Sequence, residues 1–257
     1  MDVFTSLNSI DLHLFIILFA VATLAGGIDA IAGGGGLLTI PALLWAGLPP
    51  LQALATNKLQ ASFGSFTATY TYTRQGLINP SEHCLAIALT FIGAACGAWV
   101  VQQIDSSFLA KLIPLLMMGF ALYFMFAPKL GDEERHQRIG KNMFAAMAGF
   151  GIGFYDGFFG PGTGTFFVIA FVTLLGYSLP RATGGTKLLN FTSNIASLIL
   201  FSLSGHILWL LGLGMGLGQI IGSYLGSKLA IKHGSRLIRP LLVIVSLLVS
   251  LRLLLQT

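Results

Sequence analysis

Charge is what this sequence has least of. Asp, Glu, Lys and Arg make up 9% of its 257 residues and hydrophobic residues 55%, whereas a soluble domain is about 25% charged. So few charges cannot cover a water-soluble surface of this size, which excludes a cytosolic enzyme or a soluble binding domain. Cysteine is almost as scarce. Cys84 and Cys96, the two present, lie in one apolar segment; on one helix they stand about 18 Å apart, too far for a disulfide. They read as small core hydrophobes. A basic leader is missing too: "MDVFTSLNSIDLH" has no positive n-region, so the first apolar segment reads as a span and not as a cleaved signal. The net charge of +5 is no nucleic-acid signal, because the basic residues cluster in short loops. No H-E-x-x-H, G-x-S-x-G or paired catalytic carboxylates are present, so no catalytic residues, metal or cofactor are expected.

What the sequence has in abundance is long apolar runs. They cover Leu12–Ile28, Leu37–Leu48, Leu51–Tyr72, Cys84–Val101 and Phe108–Phe126. After a polar stretch come Met143–Phe159, Phe166–Tyr177, Thr183–Leu203, Ile207–Leu229 and Leu237–Leu255. Most approach the roughly 20 residues that cross a bilayer. Leu37–Leu48 and Phe166–Tyr177 are short, and each follows a glycine cluster. The expectation is an all-α polytopic membrane protein of 8–10 transmembrane segments, with the short pair either crossing or re-entering.

The chain also repeats itself. A shift of 127 (156 − 29) lays "GGIDAIAGGGG" on "GFYDGFFGPGT", Asp29 on Asp156 and Gly33 on Gly160. A shift of 129 (187 − 58) lays "QALATNKLQ" on "RATGGTKLL" and Lys58 on Lys187. In a chain so poor in charge, a matched aspartate and a matched lysine carry more weight than matched glycines. Two homologous halves follow, residues 1–130 and 142–257, joined by a central cytoplasmic loop at 131–141. Counting ten crossings from an outer N-terminus puts the loops near Asp29, Arg74, Lys129–Lys141, Arg181 and Lys228–Arg239 inside. That satisfies the positive-inside bias. A count of eight moves Arg74 outside, and both counts leave the two termini together, on the periplasmic side. Five crossings per half turn the second half over relative to the first, the inverted-repeat plan of many secondary transporters.

The glycines raise a separate question. "GGGGLLTIP" has no Lys-Ser/Thr after its glycines and no strand before them, so neither a phosphate loop nor a dinucleotide fold fits. Four consecutive glycines, Gly33, Gly34, Gly35 and Gly36, weaken a helix by about 1 kcal/mol each. Broken backbone at membrane depth is tolerated only inside protein or beside a cavity. The matching "GPGTGT" adds Pro161 between Gly160 and Gly162. A helix restarting after such a break aims free N–H groups and a positive dipole end at the gap, which favours an anion. Thr39, Thr163 and Thr165 could add hydroxyls. Close packing is the bland alternative, and it is preferred for Gly93 and Gly97 and for Gly214, Gly218, Gly222 and Gly226, which recur every four residues along one face.

Lys58 and Lys187 fall inside apolar segments, where a lysine costs about 2.5–3.5 kcal/mol. Near them are Thr56, Asn57 and Gln60 in one half and Thr186, Asn190 and Asn194 in the other. With two helix N-termini, these would make a positive pocket for a small oxyanion. The alternative is structural pairing, Lys58 with Asp29 and Lys187 with Asp156. The two aspartates could instead carry a coupling proton. His13, His83, His206 and His233 read as solvated segment edges, and His136 as a loop residue.

The two stretches "GGIDAIAGGGGLLTIPALLWAGLPPLQALATNKLQ" and "GFYDGFFGPGTGTFFVIAFVTLLGYSLPRATGGTKLLN" resemble the TauE/SafE sulfite exporter family, also called the 4-toluene sulfonate uptake permease family. The resemblance covers nearly the whole chain. It implies a multi-pass protein of a bacterial inner membrane that carries small anions, organosulfur compounds or sulfur oxyanions such as sulfite or sulfonates, by secondary transport. A lipid bilayer and a small anion are then its partners, with no nucleic acid, and self-association into a homo-oligomer stays open. An anion channel or a non-transporting membrane subunit of a larger complex are the alternatives. "ATNK" in one half stands against "GGTK" in the other, so the site cannot be symmetric.

Overall fold

The computed structural model describes residues 12–125 and 136–233, and no strand occurs among them. The first half contributes α1 (Leu12–Ala32), α2 (Gly36–Trp45), α3 (Pro50–Arg74), a 3-10 turn (Pro80–His83) leading into α4 (Cys84–Val101), and α5 (Ser106–Met125). The second half contributes α6 (Lys141–Phe144), a π turn (Ala145–Gly149), α7 (Phe150–Phe158), α8 (Thr163–Leu174), α9 (Leu179–Ser204) and α10 (Trp209–His233). The expected segment Leu237–Leu255 lies outside the described residues, as does 126–135 of the central connection.

Helix length separates two kinds of element. The 21 residues of α1 and the 25 of α3 reach about 31 and 37 Å, enough for a hydrocarbon core of about 30 Å. The 10 residues of α2 and 12 of α8 reach about 15 and 18 Å, half that distance. Among the described residues, Leu12–Ala32 and Pro80–Val101 are long and apolar enough to cross a membrane by length and composition. α3 and α9 are long but carry many hydroxyls, several of which are satisfied within the helix. Ser62, Thr69, Thr183 and Thr192 each donate to the carbonyl four residues back.

Burial runs opposite to a soluble protein. Leu12, Ile16, Leu24, Phe66, Phe91, Trp99, Leu217 and Leu225 are exposed, while Thr56, Gln60, Thr90, Lys187 and Ser193 are wholly buried. An apolar exterior around a polar interior is what a bilayer solvates and water does not.

The halves interlock. α1 of the first half packs along α10 of the second, and α7 of the second along α4 of the first. Glycine seams make both approaches possible. A Cβ on Gly222 would overlap the Thr23 carbonyl oxygen of α1, and a Cβ on Gly97 would overlap the Phe154 carbonyl oxygen of α7. The expected packing role of the four-residue glycine spacing therefore holds, and the partner is a helix of the opposite half. Two smaller expectations are corrected. Cys84 and Cys96 are exposed and not in the core, because α4 turns its Gly93–Gly97 face inward and Cys96 outward. His83 is buried at 5% exposure, stacked near Phe171 and Tyr177, with Nδ1 3.1 Å from the Asn79 carbonyl.

The α4–α7 seam gives a direct test. A Cβ on Gly157 would overlap the Ala94 carbonyl oxygen, whereas one on Gly151 of the same helix meets nothing within 4 Å. Gly157→Ala is expected to lower stability by about 1–3 kcal/mol. Gly151→Ala is expected to be neutral or to add up to about 1 kcal/mol. Thermal unfolding of the two purified variants in detergent checks the difference.

Candidate functional site

The site forms where α1 and α7 stop. Gly33, at φ +80, ends α1, its N–H donating to the Asp29 carbonyl at 2.8 Å. Only glycine takes such a φ without strain. α2 then restarts at Gly36. In the second half Gly160 and Gly162 take φ +97 and +82, and α8 starts at Thr163. The two interruptions touch: a Cβ on Gly33 would lie 2.6 Å from the Gly164 Cα. Two helix N-termini thus meet at one depth in the interior.

Between them lies a cavity with about 470 Å3 of free space, part of it open to the outside. From the first half it is lined by Asp29, Gly33, Gly35, Gly36, Thr39, Asn57 and Lys58, and from the second by Asp156, Gly160, Gly162, Thr163, Asn190 and Asn194. All of these were singled out from sequence. Six other candidates do not line it. Gly34 sits in the α1–α2 interruption, where its carbonyl accepts from Leu37 N–H. Thr56 accepts from Leu208 N–H, and Thr165 donates to the Ala32 carbonyl. Thr186 is buried with its hydroxyl unpartnered. Gln60 stands one step behind Asn57, and Lys187 lies behind Asp29. Ala61, Gly164 and Gln219 line the cavity but were not anticipated. Gln219 comes from the glycine-seam helix, where only the seam had drawn notice.

The lysines resolve differently from the pairing considered above. Lys58 binds Asp156 Oδ1 at 2.9 Å and also donates to the Asp156 carbonyl. Lys187 binds Asp29 Oδ2 at 2.9 Å. Each lysine therefore takes the aspartate of the other half, not its own. Lys58 is the ninth residue of α3 and Lys187 the ninth of α9. The expected positive pocket is also corrected. Its two ammonium and two carboxylate charges cancel, and the donors left over are helix N-termini and amides.

One amide is oriented by its neighbours. Asn57 Oδ1 accepts from Thr39 Oγ1 at 2.6 Å and from Gln60 Nε2 at 2.9 Å. Gln60 Oε1 in turn accepts from Gln219 Nε2 at 3.3 Å. That chain leaves Asn57 Nδ2 as the end free to donate. Asn190 is the opposite case. It is 6% exposed, it lines the cavity, and its Oδ1 has no hydrogen-bond partner. An unpartnered buried amide oxygen costs about 1–3 kcal/mol, and such a cost is tolerated where a ligand or water completes the bond.

The family model for the sulfite exporter TauE/SafE matches residues 18–253. The chain belongs to the TauE/SafE family of membrane transporters. It is 50% identical to "Probable membrane transporter protein YfcA" of Escherichia coli K12, over 99% of this chain and 94% of the relative. It is 46% identical to a "Probable membrane transporter protein" of Haemophilus influenzae, over 92% and 93%. A plant relative, "Sulfite exporter TauE/SafE family protein 6" of Arabidopsis thaliana, is 27% identical over 43% of this chain and 25% of its own length. No solved structure matches the chain.

The exchanged ion pairs can be tested by stability alone. Lys58→Met leaves Asp156 buried without its cation and is expected to cost about 3–5 kcal/mol. Adding Asp156→Asn is expected to recover most of that loss, and adding Asp29→Asn none of it. Thermal unfolding of the two double variants reads the pairing directly.

Proposed function

We propose that this TauE/SafE protein is a secondary transporter of small anions, and that its cargo is a sulfur oxyanion or an organosulfonate. The observation that carries the reading is the cavity between the halves. It combines two helix N-termini, a lysine held by a carboxylate that substrate can displace, and the Asn57 Nδ2 that its neighbours leave free to donate. Helix N-termini and amide N–H groups suit an oxyanion. The sulfur preference is drawn from the family name and from nothing in the cavity itself.

The architecture we infer is an inverted repeat. Its two halves, 1–130 and 142–257, rock about the interlocked α1–α10 and α4–α7 seams while the site stays near the bilayer midplane. The short helices α2 and α8 then act as half-helices whose N-termini face the substrate. The membrane we infer is a bacterial inner membrane, and the positive-inside bias supports an orientation with both termini periplasmic. Nothing in the cavity calls for bond-breaking chemistry, which fits a carrier and not an enzyme. Asp29 and Asp156 are the carboxylates available to carry a coupling proton.

Purified protein in proteoliposomes should take up radiolabelled sulfite, sulfoacetate or 4-toluene sulfonate saturably, with a carboxylate as control. Lys58→Ala is expected to reduce that flux at least tenfold in protein that remains folded by gel filtration. Flux that neither saturates nor responds to an imposed gradient would mark a channel. No flux of any of these anions would point to a membrane subunit that does not transport.

A further inference from the structure

An anion entering this cavity meets two carboxylates, and the structure does not hold them equally. Asp156 is 4% exposed. Its Oδ1 accepts from Lys58 at 2.9 Å and from Thr163 Oγ1 at 3.0 Å, and its Oδ2 accepts from Ser193 Oγ. Asp29 has a side chain 21% exposed. Its Oδ1 accepts the Gly35 N–H at 3.2 Å and its Oδ2 the Lys187 ammonium at 2.9 Å.

The inequality is written in the repeat. Thr163 aligns with Gly36 (163 − 127), and Ser193 aligns with Gly64 (193 − 129). Both hydroxyls that tie down Asp156 are therefore glycines at the positions matching Asp29. Asp29 has no counterpart to those hydroxyl contacts. Asp29 is also the carboxylate that water and substrate reach more freely.

Resting on the transport reading above, we propose that Asp29 is the proton-coupling residue of this carrier. The cavity then takes one monovalent oxyanion together with one proton, and the proton resides on Asp29. With all four side chains ionised the cavity is charge-neutral and Asp29 repels an anion. Protonation of Asp29 does two things. It frees the Gly35 N–H, at the N-terminus of α2, to donate to the anion. It also leaves the Lys187 ammonium uncompensated behind the site, so the anion supplies the missing negative charge. Anion and proton then each favour the other's binding, by reciprocal linkage.

The charged surroundings of Asp29 are consistent with a single titrating group. α9 contributes Lys187. α3 contributes Lys58, held by Asp156 of α7, and Tyr72, whose hydroxyl donates to the Ala30 carbonyl at 3.0 Å. Toward this region α2, α8 and α10 bring neutral groups among the described residues, including Thr39, Thr163 and Gln219.

The decisive experiment uses methanesulfonate and 4-toluene sulfonate as probes, because both remain monoanions from pH 5 to 9. Any proton taken up on binding must then reside on the protein. Wild-type affinity is expected to fall about tenfold per pH unit once Asp29 is ionised. Binding at pH 8 in weakly buffered detergent solution should remove one proton from solution per anion bound. Asp29→Asn should lose the pH dependence of binding and should no longer accumulate the anion against a pH gradient. Anion binding with no proton uptake and no pH dependence would overturn Asp29 coupling and leave the transport reading standing. So would pH-driven accumulation that survives in Asp29→Asn. The absence of both binding and flux for these probes, and for sulfite, would instead overturn the transport reading and this proposal with it. The proton count is made on the wild-type protein, so the test does not depend on the variant folding.

Discussion

Two lysines buried among apolar helices impose the constraint on which the rest of this structure depends. A lysine at such depth needs a counter-charge, because neither lipid nor a water-excluding protein interior solvates an ammonium. Here the counter-charge for each lysine comes from the opposite half of the chain, Lys58 with Asp156 and Lys187 with Asp29. Neither half can therefore bury its own lysine alone.

The glycines make that arrangement possible. Backbone approaches as close as those of α1 to α10 and α4 to α7 leave no room for a Cβ. At the centre Gly33 and Gly164 meet with nothing between their backbones. The interruptions that place the carboxylates also open the cavity, since a helix that stops and restarts leaves free N–H groups and space beside them. Charge pairing, close packing and the cavity are thus consequences of one geometry.

Function enters where the two halves differ. The cavity wall has Ala61 in the first half and Asn190 at the aligned position of the second (190 − 129), and Ser65 aligns with Asn194. Asn194 Nδ2 reaches across to Ser65 Oγ at 3.3 Å, whereas Asn190 Oδ1 is left unpartnered. A symmetric site would present the same groups twice. This one presents an oriented donor at Asn57, an open amide at Asn190, a tightly held carboxylate and a loosely held one.

The sequence by itself determined the class of the molecule and most of the cavity's residues. Scarce charge and recurrent apolar runs require a membrane solvent, and interruption at Gly33 and at Gly160–Gly162 follows from backbone propensity, which is local. The matched Asp and Lys marked the same positions that line or back the cavity. Tertiary structure alone decided the partners. Asp29 stands 29 residues before Lys58 and Asp156 31 before Lys187, and nothing local in either spacing distinguishes pairing within a half from pairing between halves. The packing of the helices makes that choice. It also brings in Gln219 from a helix more than 180 residues after Asp29, buries His83 and turns Cys96 outward. Each of these depends on which helix face meets which neighbour, and in a chain whose inside is polar and whose outside is apolar, hydrophobicity along the sequence does not report that.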